Sequence, residues 1–426
     1  MLHIGLDDTD SPDSGCTTYV AAVLVEHLID VGVEFVGYPT LLRLNPNTPW
    51  KTRGNAAVCL RFKMDDNEYG AVKDYVKNLV EQYGEFGCDN TNPGIVFLKG
   101  KVPEEIIKYS DTVVKSLVEK KVSENLITKH ELDSIEYKNG RGIIGALAAI
   151  GGTLEGDYTY ELLTYRSPEN WGTPRRVDYQ SVLKMDKELG ESTYNNLDEK
   201  GNPMITPNGP DPVLYGVRGE TPKAVYRAKE ILKPLEPIER WMIYKTNQGT
   251  DQHFSAPIKI SELETHNPAV VEGTVDTSPY TIRGGHVIFR LRDETGVVDC
   301  AAYEPTGGFR ENVRKLAPGD RVTIFSSVSL YEKEYTLNIE KLVVTELAQV
   351  VQNYNPKCPE CGGSTESMGR NQGLRCKKCG YRAPDLKKKE CIVHRQLEKG
   401  IYLPDKGAQR HLTKPYDRYG REKIIL

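Results

Sequence analysis

The stretch MLHIGLDDTDSPDSGCTT, residues 1–18, decides how the rest of the chain is read. Leu2, Ile4 and Leu6 form an apolar run that reads as a short buried strand. It ends in a carboxylate cluster, Asp7, Asp8 and Asp10, with Asp13 close behind. Gly15, Thr17 and Thr18 follow, and then a helical pattern. Val20, Val23, Leu24, His27 and Leu28 recur at helical spacing, so Thr17 or Thr18 is the expected N-cap. The order is strand, acidic loop, hydroxyls, helix N-terminus. A helix start presents free N–H groups and positive potential, which suits a phosphate. Clustered aspartates repel one another unless a cation sits among them. Mg²⁺ takes a few carboxylates, keeps several waters and bridges to phosphate oxygens. Asp7 and Asp8 are its candidate ligands. The same residues would also make an acidic surface turn with a capping threonine, and composition alone leaves both readings open.

The chain has 426 residues, enough for two to four domains with cores of their own. Its apolar content is 38% and its charged content 27%, as expected of a soluble globular protein. The longest apolar run, residues 143–150, is far too short to span a bilayer. The N-terminus enters the acidic loop at once, leaving no room for a signal peptide. A cytoplasmic location without membrane contact is expected. The net charge of −4 is unevenly shared. Residues 355–426 hold 17 Lys and Arg against 8 Asp and Glu, on an acidic remainder. A basic C-terminal module on an acidic body points to a polyanionic partner. Of nine cysteines, Cys358, Cys361, Cys376 and Cys379 make a pattern. The other five are scattered, which argues against a secreted disulfide framework.

Residues 1–260 mix helix and strand signals throughout. Strands are expected at 35–44, 56–62, 95–98 and 158–166, with helices at 66–83, 104–120 and 222–231. The loop 45–55 carries Lys51 and Arg53, cations within reach of phosphates, and Gly54 and Asn55 at a tight turn. An exposed basic hairpin would look the same. The turn-rich loop 87–94 includes Asn92 and is long enough to be functional or merely a connector. Residues 139–146 are glycine-rich, with Gly142 and Gly145, but match neither a P-loop nor a dinucleotide fingerprint. They support close backbone approach to a ligand or tight helix packing.

From residue 267 the character changes. Five short strands, at 270–275, 286–291 and 297–303, one that the Pro-Gly-Asp turn of 316–322 leads into, and one at 335–342, fit an OB-fold barrel. Such barrels bind single strands through stacking aromatics and basic rims. Phe289, Tyr303, Lys333 and Tyr335 are candidates, although some must fill the interior. Cys358-x2-Cys361-x14-Cys376-x2-Cys379 supplies four thiolates for one tetrahedral Zn²⁺. The closed shell makes it a structural zinc ribbon. Arg375, Lys377 and Lys378 beside it, and Arg410 and His411 in the basic tail, are expected to face RNA.

These features together resemble the archaeal tRNA(Ile) 2-agmatinylcytidine synthetases, the TiaS family. The resemblance rests on GLDDTDSPDSGCTT, LNPNTPWKTRGNAAV, NTNPG, GRGIIGALAAIG, YGVRGETP, DETGVVDCAAYEPT and the CPEC/CKKC ribbon. It covers essentially the whole chain. It implies a multidomain α+β protein: an α/β kinase-like domain (about 1–62 and 138–195) interleaved with a ferredoxin-like domain inside a 1–260 catalytic region. An OB-fold domain at 265–350 and a zinc ribbon with basic tail at 351–426 then follow. It implies an ATP-dependent ligase that converts the wobble cytidine of a CAU-anticodon tRNA(Ile) to agmatidine. ATP ends as AMP and phosphates, and codon reading changes from AUG to AUA. A phosphoryl group is placed on the cytosine 2-carbonyl, and the amine of agmatine then displaces it. Asp7, Asp8 and Asp10 match the Mg²⁺–ATP loop. Thr17 or Thr18, with Thr17 the better match, corresponds to a phosphorylated threonine. Lys51, Arg53, Gly54, Asn55, Asn92, Gly142 and Gly145 are the expected nucleotide contacts. Agmatine is expected near Tyr215 and Arg218. The residues alone also fit a non-enzymatic single-strand binder built from barrel and ribbon.

Overall fold

The computed structural model describes residues 1–423. Among the described residues, ten strands form one sheet beneath the N-terminal half. Its order is Asp133–Glu136, Gly94–Lys99, Leu2–Asp7, Ala56–Lys63, Thr40–Arg43, Ile238–Thr246, Thr159–Arg166, Val213–Gly219 and Thr193–Tyr194. Glu34–Phe35 pairs additionally with Ala56–Lys63. The opening strand is therefore interior, and Leu2, Ile4 and Leu6 are buried as their pattern demands. Gly5 lies between Cys59 and Val96 of its two neighbours.

The sheet's strand pairings are antiparallel except for Thr40–Arg43 against Ile238–Thr246. This half is thus α+β, and the α/β character expected of its first domain is corrected. The helices instead join strands of like direction across an antiparallel strand between them: Tyr69–Tyr83 links Ala56–Lys63 to Gly94–Lys99 over Leu2–Asp7, and Pro222–Ile231 links Val213–Gly219 to Ile238–Thr246 over Thr159–Arg166.

Helices Thr17–Asp30 and Tyr69–Tyr83 cover one face of the sheet. Glu104–Lys115 and Ile143–Gly151 cover the other. The last of these lies directly on the opening strand. A Cβ at Gly5 would stand 2.0 Å from the Ala146 carbonyl oxygen, so only glycine admits this approach. Helices Tyr179–Leu189 and Pro222–Ile231 pack on the far end of the sheet.

The barrel forms as expected. Strands Pro268–Val275, Val287–Arg292, Val297–Ala302, Arg321–Tyr331 and Glu334–Glu346 close on one another, with Val297–Ala302 running parallel to Glu334–Glu346. Helix Phe309–Arg314, between the third and fourth strands in sequence, buries Phe309 and Val313 in the barrel core. Beyond the barrel, Val351–Tyr354 pairs with Lys389–Ile392 as a neck. The neck leads to a small three-stranded sheet bearing the four patterned cysteines. Among the described residues, no helix is long and apolar enough to cross a membrane.

The tail departs from expectation. It was expected to extend the ribbon towards RNA. Instead Gly400–Tyr402 pairs with Glu334–Glu346 of the barrel, and the chain then returns to the catalytic half. Arg418 is fully buried there. It donates to Glu220 at 2.6 Å, Asp157 at 2.9 Å and the Gly249 carbonyl at 2.6 Å. A guanidinium is sequestered only with such a complete set of acceptors. The positive charge of the tail is thus partly spent on internal pairing.

Candidate active site

The end of the opening strand, the start of helix Thr17–Asp30, the loop 48–55 and residues of the tail enclose a cavity of about 590 Å³. Its size is that of a small-molecule site. Asp7, Asp8, Asp10, Thr17, Thr18, Lys51, Arg53, Gly54, Asn55, Gly145, Arg218, Arg410 and His411 all line it. Most candidates more than a hundred residues apart in sequence are thus brought to one place.

Asp7 and Asp8 form a half-buried acidic pair. The Asp8 N–H donates to Asp7 Oδ1 at 2.8 Å, and Asp8 takes a left-handed backbone, φ 59°. Asp8 Oδ2 accepts from the Asn92 N–H at 3.1 Å and lies 3.5 Å from Arg141 Nη2. Burial pushes the Asp8 carboxyl up to about 6, against the pull of Arg141 and the Asn92 N–H. Asp7 is pushed well up, first by burial and then by the Asp8 charge. The pair is short of positive charge, as a cation-binding site is. Asp7 sits against the first turn of helix Ile143–Gly151: a Cβ on Gly145 would lie 1.9 Å from Asp7 Oδ2.

Asp10 is held differently. It accepts from Thr52 Oγ1 at 2.9 Å and from Arg53 Nε at 2.8 Å, and Arg53 also donates to the Gly15 carbonyl at 2.6 Å. Arg53 therefore staples the acidic loop. Lys51 donates to the Pro46 carbonyl, and Asn55, at φ 46°, donates to the Asn45 carbonyl at 2.7 Å. These residues shape the loop from which they line the cavity.

The expected threonine cap is corrected. Cys16 is the N-cap and makes no side-chain capping bond. The Thr17 hydroxyl turns back to Thr9 Oγ1 at 2.9 Å and the residue is 6% exposed. Thr18 is only half-buried, its hydroxyl 2.9 Å from Cys16 Sγ.

The expected Arg218 stands in a wall of the same cavity with Arg43 and Glu161, neither of which the sequence singles out. Arg43 and Arg218 flank the buried Glu161, at 3.7 and 3.1 Å, and Gln248 donates to the same carboxylate. Burial lowers Arg43 to about 10 despite Glu161. Asp211 joins Arg53 at 3.6 Å and Arg175 at 3.2 Å. Arg141, within the quoted glycine-rich motif but not singled out there, lies over Trp50 with the guanidinium carbon 5.8 Å from the ring centre. A carboxylate amid the apolar strand Thr159–Arg166 was the available signal for Glu161.

Three expected contacts lie outside the cavity lining. Asn92 is 2% exposed and reaches the site through its N–H to Asp8. Gly142 packs on the Gly94 backbone, 2.3 Å from its nitrogen if a Cβ were added. Tyr215 is fully buried on the other face of its strand, against helix Pro222–Ile231. It is core and is withdrawn as an agmatine contact, while Arg218 of that strand does face the cavity. Phe289 is likewise corrected: it is fully buried in the barrel, sharing its face with Val287 and Leu291. Tyr303 is exposed, its hydroxyl 3.0 Å from Asn338 Oδ1.

In the ribbon, the Sγ atoms of Cys358, Cys361, Cys376 and Cys379 all lie within 4.8 Å of one another. The 358–379 and 361–376 separations are 3.8 and 3.5 Å. Zn–S bonds of about 2.3 Å in a tetrahedron place sulfurs about 3.8 Å apart, so the donor set fits zinc. The Cys379 and Lys378 N–H groups donate to Cys376 Sγ and pull that thiol down to about 6. Arg375 pairs with Glu366 at 2.6 Å, and Lys377 lies 3.8 Å from the same carboxylate. Lys378 is exposed.

Family models match along the chain: the TiaS TCKD domain at residues 3–139, the TiaS FLD domain at 140–253, an OB-fold nucleic acid binding domain at 269–345 and the TiaS C-terminal zinc ribbon domain at 355–397. The first two models adjoin one another in sequence. The tRNA(Ile) 2-agmatinylcytidine synthetase TiaS of Methanosarcina mazei is 42% identical over 100% of this chain and 99% of its own. That of Pyrococcus horikoshii is 43% identical over 97% and 96%. The crystal structure of a TiaS complex with its isoleucine tRNA and ATP superposes with TM-score 0.88 at 39% identity, covering 98% of this chain and 97% of that one. A TiaS complex with the same tRNA, AMPCPP and agmatine gives 0.86 at 37% identity over the same shares. The chain belongs to the TiaS family of tRNA(Ile) 2-agmatinylcytidine synthetases.

Proposed function

We propose that this chain is an ATP-dependent tRNA(Ile) 2-agmatinylcytidine synthetase acting in the cytoplasm, with tRNA(Ile) bearing a CAU anticodon and agmatine as its substrates. Full-length similarity to relatives of that name supports the reading. The observation that carries it in this chain is the half-buried Asp7–Asp8 pair lining one cavity with the start of helix Thr17–Asp30. Asp7 and Asp8 would hold Mg²⁺, which neutralises phosphate charge when bound. Arg53 and Thr52 hold Asp10 and so fix the loop.

The cytosine 2-carbonyl oxygen is a poor leaving group. A phosphoryl group from ATP turns it into a phosphate ester, and the agmatine amine then forms the C–N bond as that phosphate carries the oxygen away. Cleavage of a second phosphate from the nucleotide by water leaves AMP, so that ATP, water, agmatine and cytidine become AMP, two phosphates and agmatidine. The wobble base must leave its stack for this edge to be reached. Of the two threonines, Thr18 is the better phosphoryl acceptor, because Thr17 is more buried and bonded to Thr9. This reverses the preference drawn from sequence. Barrel and zinc ribbon would carry the tRNA, through Tyr303, Lys377 and Lys378. Incubation with ATP, Mg²⁺ and transcribed tRNA, with and without agmatine, tests the reading. Agmatine-dependent AMP release and modified cytidine are expected. No AMP release would leave a single-strand binder as the better account.

Gly145→Ala isolates the placement of Asp7. The added methyl would overlap that carboxylate, so ATP turnover is expected to fall about a hundredfold. Alanine favours the helix by about 1 kcal/mol, so the thermal midpoint is expected to move by only a few degrees. Turnover at the wild-type level would show that Asp7 need not stand there.

Magnesium binding should depend on pH. With its carboxyl raised to about 6, folded Asp8 holds a proton that the unfolded chain has lost. Without metal, Asp8 therefore costs stability as pH rises from the ordinary carboxylate value through about 6. Metal needs the deprotonated pair, so the midpoint gain from Mg²⁺ is expected at about pH 7.5 and not at about pH 5. Equal gains at both would remove Asp8 as a ligand.

A further inference from the structure

The returning tail does more than pack. Its backbone clamps the loop that follows strand Ile238–Thr246: the Gly249 N–H donates to the His411 carbonyl at 2.9 Å, and the Asp251 N–H to the Leu412 carbonyl at 2.8 Å. Asp251 Oδ1 accepts the Lys414 N–H at 2.8 Å, and the buried Arg418 closes the clamp on the Gly249 carbonyl. Arg410 spans two domains, with Nε 2.9 Å from Glu340 of the barrel and Nη1 3.3 Å from the Pro46 carbonyl. Between these anchors His411 is carried into the catalytic cavity. It lines the cavity and is itself exposed there.

Its partner there is Arg218, which donates from Nη2 to His411 Nδ1 at 2.9 Å while its Nε donates to Glu161. Arginine has no acceptor, so Nδ1 must be the unprotonated nitrogen and Nε2 carries the hydrogen. The imidazole must therefore be neutral. Arg43, the surrounding protein and Arg218 all oppose a charge on it. On its other side His411 Nε2 would lie 3.3 Å from a Cβ on Gly54, in the loop bearing Lys51 and Arg53. An adjoining cavity of about 330 Å³ shares Lys51, Arg53, Gly54, Gln409, Arg410 and His411 with the first, so the tail and the 51–54 loop meet where the two spaces adjoin.

We propose that the C-terminal segment supplies the fourth wall of the active site, and that His411, as a neutral hydrogen-bond acceptor, is a positioning residue that aims the Arg218 guanidinium at the phosphates of the bound nucleotide. The inference rests on the ATP-dependent reading above. Without the acceptor, Arg218 keeps only Glu161 and folds back on it. The ammonium- and carboxylate-bearing partners of the cavity are untouched. ATP saturation should suffer and turnover at saturation should not.

The test compares His411→Leu, His411→Asn and His411→Gln in the full-length protein, with AMP formation followed against ATP, tRNA and agmatine in turn. Asparagine places an oxygen near the position of Nδ1, whereas glutamine reaches towards that of Nε2. The leucine variant is expected to raise KM for ATP about tenfold, the scale of one hydrogen bond to a charged group, with kcat and KM for tRNA little changed. Asparagine should restore most of the loss and glutamine should not. An unaltered KM for ATP in the leucine variant, or asparagine no better than glutamine, would overturn the proposal. If leucine prevents folding, the asparagine–glutamine comparison alone decides. The wild-type protein in the same assay separates the two readings: its failure to release AMP would sink the enzymatic reading, not the role of His411 alone.

Discussion

Asp8→Asn is expected to lower ATP turnover about a thousandfold or more while the protein stays folded and keeps its affinity for tRNA. The exchange is close to isosteric. Asparagine also tolerates the left-handed φ of 59° at this position, so the backbone has no reason to change. What changes is charge. Asp8 Oδ2 takes the Asn92 N–H at 3.1 Å, and an amide oxygen can still do so. It cannot supply the negative charge that a divalent cation needs beside Asp7. Phosphoryl transfer depends on positioning and on cations that neutralise charge spreading over phosphate oxygens, so losing the metal removes most of the catalysis. The barrel and the ribbon lie outside the cavity and should bind tRNA as before. Turnover measured as AMP release, with tRNA affinity and thermal midpoint recorded on the same preparation, checks all three statements. Loss of tRNA affinity instead of turnover would make the acidic loop a structural or RNA-docking element.

The aspartates could be picked out in advance because their chemistry is local. Strand, acidic loop and helix start follow one another within eighteen residues, and the sheet merely preserves that order. The ribbon was legible for the same reason, since two CxxC knuckles carry their geometry with them. Arg218 and His411 could be picked out singly, but their meeting in one wall was not legible. Arg218 and His411 stand 193 positions apart and meet only because the tail turns back from the ribbon. Their separation carries no periodic trace. Tyr215 and Phe289 were misplaced for another reason: strand parity was not followed through. Phe289 shares alternation with Val287 and Leu291, so a barrel that buries those two must bury it as well. Tyr215 has the parity of Val217, opposite to that of Arg218, and a strand cannot turn both towards one cavity. The helix cap was missed because Thr9, eight residues upstream of Thr17, claims the hydroxyl that the cap would have used.

Cys376→Ser is expected to empty the ribbon of metal and to weaken tRNA binding while ATP binding survives. A structural zinc in a small domain supplies roughly 10–16 kcal/mol of apparent binding free energy, which is folding free energy for that unit. The three-stranded sheet at the ribbon is too small to stay folded without it. Its strands Thr365–Ser367, Leu374–Cys376 and Arg382–Ala383 contribute little beyond Leu374 and Ala383 to a core. The damage should stop at the neck. Arg395 grips Asp320 of the barrel through two bonds of 2.6 and 2.7 Å, and Gly400–Tyr402 then pairs with the barrel strand. The exit of the excursion is thus fastened, and its entry follows directly from the barrel strand Glu334–Glu346, so both ends join a body that has its own cores. The returning tail keeps its anchor through Arg418, so the cavity wall is not lost with the ribbon. Metal content by atomic absorption is expected to fall from about one zinc per chain to near zero. Nucleotide binding measured by calorimetry should stay within about twofold of wild type, because no ribbon residue lines the cavity. Unchanged zinc content would mean the four thiols do not hold the ion. Joint loss of nucleotide and tRNA binding would mean the ribbon supports the catalytic half directly, against the independence that its two ends, both joined to the barrel, imply.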